Sequence, residues 1–228
     1  MSTTTDSLPS SARAPKPKTA RMFQSGFFEF FSRVHPATPF VTWLPVVLFL
    51  AWRSLARGEP GAPAAAATFA FGVFAWTFAE YGLHRFLFHW VNDTAWGRRI
   101  HFMLHGVHHE YPEDKDRLVM PPGFSIPMGI VFYSLFRVAF GAGWGEPLFA
   151  GFATGYLWYD GTHFAVHHFR PASGLFQKLR RHHLFHHHSD PDGGFGVSSP
   201  LWDWVFRTMP RSSVEVRRGA QAAPSPRT

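Results

Sequence analysis

Four apolar stretches joined by two short links limit what this chain can fold into. They run from Phe40 to Trp52, Ala64 to Leu83, Pro122 to Ala142 and Trp144 to Tyr159. The second is about one bilayer thickness of helix at ~1.5 Å rise per residue. A backbone inside lipid finds no water to hydrogen-bond, so such stretches must be helical. The predicted class is all-α: an integral membrane protein with four transmembrane helices in two hairpins and a cytoplasmic histidine-rich helical cap. Two stretches fall short of the ~20 residues of an ordinary span. Short apolar helices also occur in soluble cores, so the charge pattern has to decide.

The short links, Arg53–Pro63 and the Gly-rich turn Gly141–Gly145, predict antiparallel neighbours. Both ends of the chain and the long loop Arg85–Pro121 then share one side. Of the 22 Lys and Arg residues, five precede the first span, five lie in that loop and nine follow the fourth span. That excess makes this side cytoplasmic by the positive-inside rule. The net charge of +7 therefore reads as topology, and nucleic acid is not an expected partner, because the basic residues lack the pattern of a nucleic-acid module. There is no cysteine, which excludes disulfides, thiolate metal sites and cysteine nucleophiles. Residues 1–35 are expected to be a disordered or flexible N-terminal segment, 36–210 the membrane domain and 211–228 a disordered tail, the ends being rich in Ser, Thr, Pro and Ala.

Fourteen of the 15 histidines lie between His84 and His188. All of these but His101 form four clusters: His84 and His89; His105, His108 and His109; His163, His167 and His168; and His183, His186 and His187 flanked by His182 and His188. All fall on the predicted cytoplasmic side, so clusters far apart in sequence can meet. Residues three and four apart share a helix face, which aims two or three imidazoles of each of the last three clusters one way. The spacing of five in the first cluster is off-face on a regular helix. It fits a helix that is ending, or two side chains serving different metals. Ten converging neutral imidazoles exceed what one ion can use and suit two ions of iron, zinc, copper or nickel. His35 stands apart and reads as an ordinary surface histidine.

The runs Glu80–His89 (EYGLHRFLFH), His101–His109 (HFMLHGVHH), Asp114–Pro122 (DKDRLVMPP), Tyr159–His168 (YDGTHFAVHH), His183–His187 (HLFHH) and Gly194–Thr208 (GFGVSSPLWDWVFRT) closely resemble the fatty acid 2-hydroxylases of the fatty acid hydroxylase/sterol desaturase superfamily. The likeness covers about residues 36–210. The histidine spacing is shared across the superfamily, whereas DKDRLVMPP looks specific to the 2-hydroxylase branch. The resemblance implies a four-span enzyme that hydroxylates the α-carbon of a sphingolipid or fatty acyl chain with O2. It also implies two iron ions, with zinc able to take their places in purified protein. The metal ligands it implies are His84, His89, His105, His108, His109, His163, His167, His183, His186 and His187. His101, His168, His182 and His188 are not direct ligands in that pattern. Tyr159 and Asp160 resemble a supporting catalytic pair, Asp160 accepting the second N–H of a ligand imidazole. Glu80 and Asp203 are weaker candidates, for which a helix-surface or capping role is equally suitable.

Eukaryotic members often carry a fused cytochrome b5 domain with a His-Pro-Gly-Gly motif. His35-Pro36-Ala37-Thr38 does not fulfil it, so a separate electron donor such as cytochrome b5 or ferredoxin is expected. Arg98, Arg99, Lys178, Arg180 and Arg181 would suit an acidic donor or anionic headgroups, though plain positive-inside bias also accounts for them. The acyl chain is expected in a slot among the helices, lined by Phe and Leu. Two rival readings stay open: a carotenoid, sterol or other lipid as substrate, and a non-enzymatic membrane metal-binding protein. The second fits poorly, because a transporter needs polar groups at mid-membrane depth and the spans are largely free of them.

Overall fold

A computed structural model describes residues 19–170, 172, 174–212 and 214–216, and among these every regular element is helical. Three helical segments are long and apolar enough to cross a membrane: Thr38–Arg57, Ala62–Phe88 and Lys115–His168. Their outward faces carry Val41, Leu48, Phe71, Phe78, Val131 and Val138, all exposed. An exposed apolar band of this kind marks a membrane protein.

A short helix α1 (Gly26–Phe31) precedes α2 (Thr38–Arg57). Pro39 sits in the first turn of α2, where its missing N–H costs nothing, and Gly58 ends the helix in the left-handed conformation at φ 75°. The next helix, α3 (Ala62–Leu83), runs on without a break into a π-helical turn, His84–Phe88. Three short pieces follow. These are α4 (Ala95–His101), capped by the Thr94 hydroxyl on the Gly97 N–H, a second π-turn at Phe102–Gly106, and α5 (Val107–Glu110).

Helix α6 (Pro122–His168) is two antiparallel arms meeting at Gly141, whose φ of 71° and ψ of 180° only glycine adopts readily. Phe136 packs on Phe152 and Tyr133 on Phe149, each with ring centres 5.3 Å apart. Residues 122–140 therefore return alongside 142–168. The remaining helices are α7 (Gly174–His188) and α8 (Leu201–Val205).

Between α2, α3 and α6 the packing is close. A methyl group at Gly72 would overlap the Leu148 carbonyl, one at Gly151 the Phe69 carbonyl, and one at Gly129 the Trp43 ring. Trp43, Trp76, Phe149, Phe152 and Tyr156 fill the rest of this core. At the end of the bundle away from the histidines, Glu146 is completely buried and pairs with Arg53, Arg57 and Arg137. These are the three basic residues that the positive-inside count leaves over.

The expected flexible N-terminal segment is only partly open to inspection, because residues 1–18 lie outside the described residues. Within the rest of it, Met22 and Val34 are buried, and Glu29 on α1 pairs with the buried Arg117. At the other end Arg211 pairs with Asp190; residues 213 and 217–228 of the expected tail lie outside the described residues.

Candidate metal centre and its cavity

The ten histidines separate into two groups of five. His84, His89, His105, His109 and His186 form one; His108, His163, His167, His183 and His187 form the other. Within each group the donor nitrogens all lie within 4.8 Å of one another. Neither group follows the sequence clusters. Residues four apart sit ~40° apart around a helix and stay together, as in His105/His109, His163/His167 and His183/His187. Residues three apart sit ~60° to the other side, so His108 and His186 turn to the opposite group from their neighbours. The expectation that each cluster points one way is therefore corrected: the second and fourth clusters bridge both groups.

The five-residue spacing of His84 and His89 has a direct cause. In the π-turn the His89 N–H donates to the His84 carbonyl at 3.1 Å, which widens the turn by one residue and brings positions five apart onto one face. The two imidazoles join the same group, not different ones.

Nearest Nε2–Nε2 separations are 2.9–3.2 Å, including His84–His105 and His105–His109 at 3.0 Å, His89–His186 at 3.1 Å, His108–His163 and His167–His183 at 2.9 Å. Nitrogens bound at ~2.1 Å to one ion, at right angles, lie ~3.0 Å apart. Protons cannot satisfy such a set, because each contact can hold one hydrogen and several nitrogens must face each other with lone pairs. His84 and His186 make this plain. Their Nδ1–H groups donate to the carbonyls of Phe195 at 2.6 Å and Gly193 at 2.8 Å, leaving Nε2 as a lone-pair donor. A cation at each centre resolves the crowding, so the donor set fits a metal ion.

Burial keeps these rings uncharged. It is the largest influence, with neighbouring imidazoles adding to it for most, and it pushes His89 down to about 3, His109 to about 2 and His186 to about 4. His105, His108 and His183 are pushed well below the usual imidazole value for the same reasons. Neutral imidazole is the metal-binding form.

A cavity of about 730 Å³ reaches both groups, with His105, His108 and His163 in its wall. Phe28 and Phe31 of α1, Phe88, Leu118, Met120 and Phe124 supply much of its apolar lining. Among the long helices, where the acyl slot is expected, the apolar cavity beside Trp43, Gly129 and Phe152 holds only about 40 Å³. The space lies instead between α1, the 117–124 segment and the histidines. Residues 22–32, placed in the expected flexible segment, form one side of it.

Tyr159 and Asp160 also line this cavity, and the Tyr159 ring lies 5.6 Å from that of His163. The anticipated bond from a ligand imidazole to Asp160 is not formed: Asp160 Oδ2 and His163 Nδ1 are both buried without a hydrogen-bond partner. The supporting contacts come from elsewhere. Glu80 accepts hydrogen bonds from the N–H groups of Val197 and Ser198, and Asp203 from those of Phe195 and Gly196. The 193–198 loop they hold carries the carbonyls that orient His84 and His186. Two buried acids on apolar helices facing a glycine-rich run were the available signal. Outside the groups, His101 donates to the Phe88 carbonyl and His182 to Asp203, His168 Nε2 is buried without a partner, and the His35 ring accepts from the Ala37 N–H.

Comparison with known proteins identifies the family. Residues 69–208 match the fatty acid hydroxylase family. A dihydroceramide fatty acyl 2-hydroxylase of Arabidopsis thaliana is 40% identical over 195 residues, covering 85% of this chain and 81% of that protein. The fatty acid 2-hydroxylase of Homo sapiens is 34% identical over 218 residues, covering 86% and 58%. Among solved structures, the hydroxylase domain of Scs7p superposes with a TM-score of 0.76 at 40% identity, covering 80% of this chain and 69% of that one.

Proposed function

The chain belongs to the fatty acid hydroxylase family, and from that premise we propose that it is a membrane di-iron monooxygenase that hydroxylates carbon 2 of a fatty acid or sphingolipid acyl group. The observation that carries the proposal is the apolar cavity whose wall includes imidazoles of both five-histidine groups. The relatives that act on fatty acyl chains at this carbon support the choice of substrate.

In this reading His84, His89, His105, His109 and His186 hold one ion, and His108, His163, His167, His183 and His187 the other. Two iron ions, when bound, supply the electrons and coordination for activating O2, while zinc could hold the same positions without redox chemistry. The protein's own work is placement. Phe28, Phe31 and Phe124 keep water from the chain, and the histidine wall fixes the depth at which the acyl chain stops. Tyr159, whose ring lies 5.6 Å from that of His163, and its neighbour Asp160 are polar groups in the cavity wall and take a catalytic support role there.

The proposed topology has four membrane crossings, with the arms of α6 as the third and fourth and the histidine end cytoplasmic. The lysine and arginine distribution supports that orientation. Electrons come from a separate donor such as cytochrome b5 or ferredoxin, docking on the basic face that includes Arg98, Arg99, Arg180 and Arg181. Expression in a host lacking 2-hydroxy lipids, followed by lipid mass spectrometry, tests the activity. The expected result is the appearance of 2-hydroxy acyl chains. Altered carotenoids or sterols with unchanged acyl chains would reject it.

A further inference from the structure

The two histidine groups match in donors and differ in support. In the first group, His84 and His186 each give a proton to a backbone carbonyl, of Phe195 and Gly193. In the second, the Nδ1 atoms of His108, His163, His183 and His187 are buried with no protein partner.

The carbonyls of the first group are themselves braced. Glu80, buried on α3, accepts from the Val197 N–H at 2.6 Å, the Ser198 N–H at 2.8 Å and the Ser198 hydroxyl. Asp203, buried on α8, accepts from the Phe195 N–H at 2.9 Å, the Gly196 N–H at 2.7 Å and the Thr208 hydroxyl at 2.8 Å. It also accepts from His182 on α7 at 3.0 Å, next in sequence to His183. A carbonyl held this firmly fixes both the tautomer and the ring orientation of its histidine, and raises the basicity of the other nitrogen.

We infer that Glu80 and Asp203 are positioning residues acting through the 193–198 loop, and that they make the His84/His89/His105/His109/His186 position the tighter of two unequal metal sites. The inference rests on the assignment of the ten histidines as ligands. Neither acid touches substrate or metal in it.

The test uses the purified full-length protein loaded with zinc alone, a redox-inert probe of nitrogen sites, and follows zinc release to an excess of chromophoric chelator. The wild type should release one ion quickly and one slowly. His84→Ala should abolish the slow phase and His163→Ala the fast one, which assigns each phase to its group. Glu80→Gln and Asp203→Asn should each accelerate the slow phase ~10–100-fold, the usual cost of losing an outer partner, with the fast phase unchanged. Ser198→Ala, which removes one donor and keeps both carboxylates, should accelerate the slow phase less; it decides the matter if the acid variants do not fold. A wild type that loses two ions in a single phase overturns the inference, as does an equal effect of the variants on both phases. A protein that takes up no zinc overturns the ligand assignment beneath it, a distinct outcome.

Discussion

His108 is surrounded by imidazoles from other parts of the chain: its ring centre lies 4.5 Å from those of His163 and His187 and 4.7 Å from that of His167. His101, a few residues earlier, has its ring centre 6.3 Å from that of His89 and stays outside both groups. The pair separates ligand from neighbour. His108→Ala should leave the protein with one ion instead of two and lower hydroxylation by about 100-fold or more, beyond the ~10–100-fold cost of an outer partner. His101→Ala should keep both ions. Metal content by elemental analysis, read beside product formation, checks both; two ions in the His108 variant would remove that ring from the site. That the histidine clusters would gather was legible from their spacing and their place on one side of the spans, while the particular ten came from the family resemblance. Which group each would join was not legible, since the outcome turns on the sense of rotation between positions three and four apart and on a π-turn that no residue type announces.

At the scale of elements, the long apolar helices were legible from composition, and Gly141 marked the reversal within α6. Helix α1 was not legible. Phe27, Phe28, Phe30 and Phe31 bury little surface within the chain, and the helix is tied to the rest of the molecule by polar contacts with Arg117, far along the sequence. Glu29 meets Arg117 there, and Arg117 also donates to the Ser32 hydroxyl at 3.0 Å. Burial pushes the Glu29 carboxyl up, but the N–H groups of Phe23 and Met22 and the Arg117 guanidinium outweigh it and hold the group below its ordinary value of 4.5. A carboxyl with a lowered folded value stabilises the docked helix above about pH 4.5, and that contribution is lost as pH falls through the folded value. Hydrogen exchange over residues 22–32, corrected for its intrinsic pH dependence, should therefore show strong protection at neutral pH and progressive loss of it as the pH is lowered below 4.5. Glu29→Gln should reproduce the loss at neutral pH. Unchanged protection in that variant would mean that the phenylalanines alone hold α1 in place.

The whole molecule is polarised, with ten neutral imidazoles at one end and a charged knot at the other. Nineteen of the 22 basic residues lie on the side that the sequence predicts to be cytoplasmic, and the knot holds the rest: Arg53 and Arg57 from the first hairpin and Arg137 from the second all converge on Glu146. The sequence showed these arginines only as leftovers, because no local pattern links Glu146 to partners up to 93 positions away. Glu146 has no exposed side chain, whereas the arginines are 29–37% exposed, so water screens the arginines but not the acid. Removing one member of a fully buried pair costs roughly 3–5 kcal/mol, and partial screening reduces that to about 2–3 kcal/mol here. Glu146→Gln should accordingly lower the thermal unfolding midpoint of the solubilised protein, with three arginines left to repel one another. Adding Arg137→Leu to that variant should recover part of the loss, because one repelling charge is then gone, and the two effects should fail to add. Strict additivity, or a change within about 0.5 kcal/mol for Glu146→Gln, would show that the hairpins are joined by their glycine-mediated packing alone.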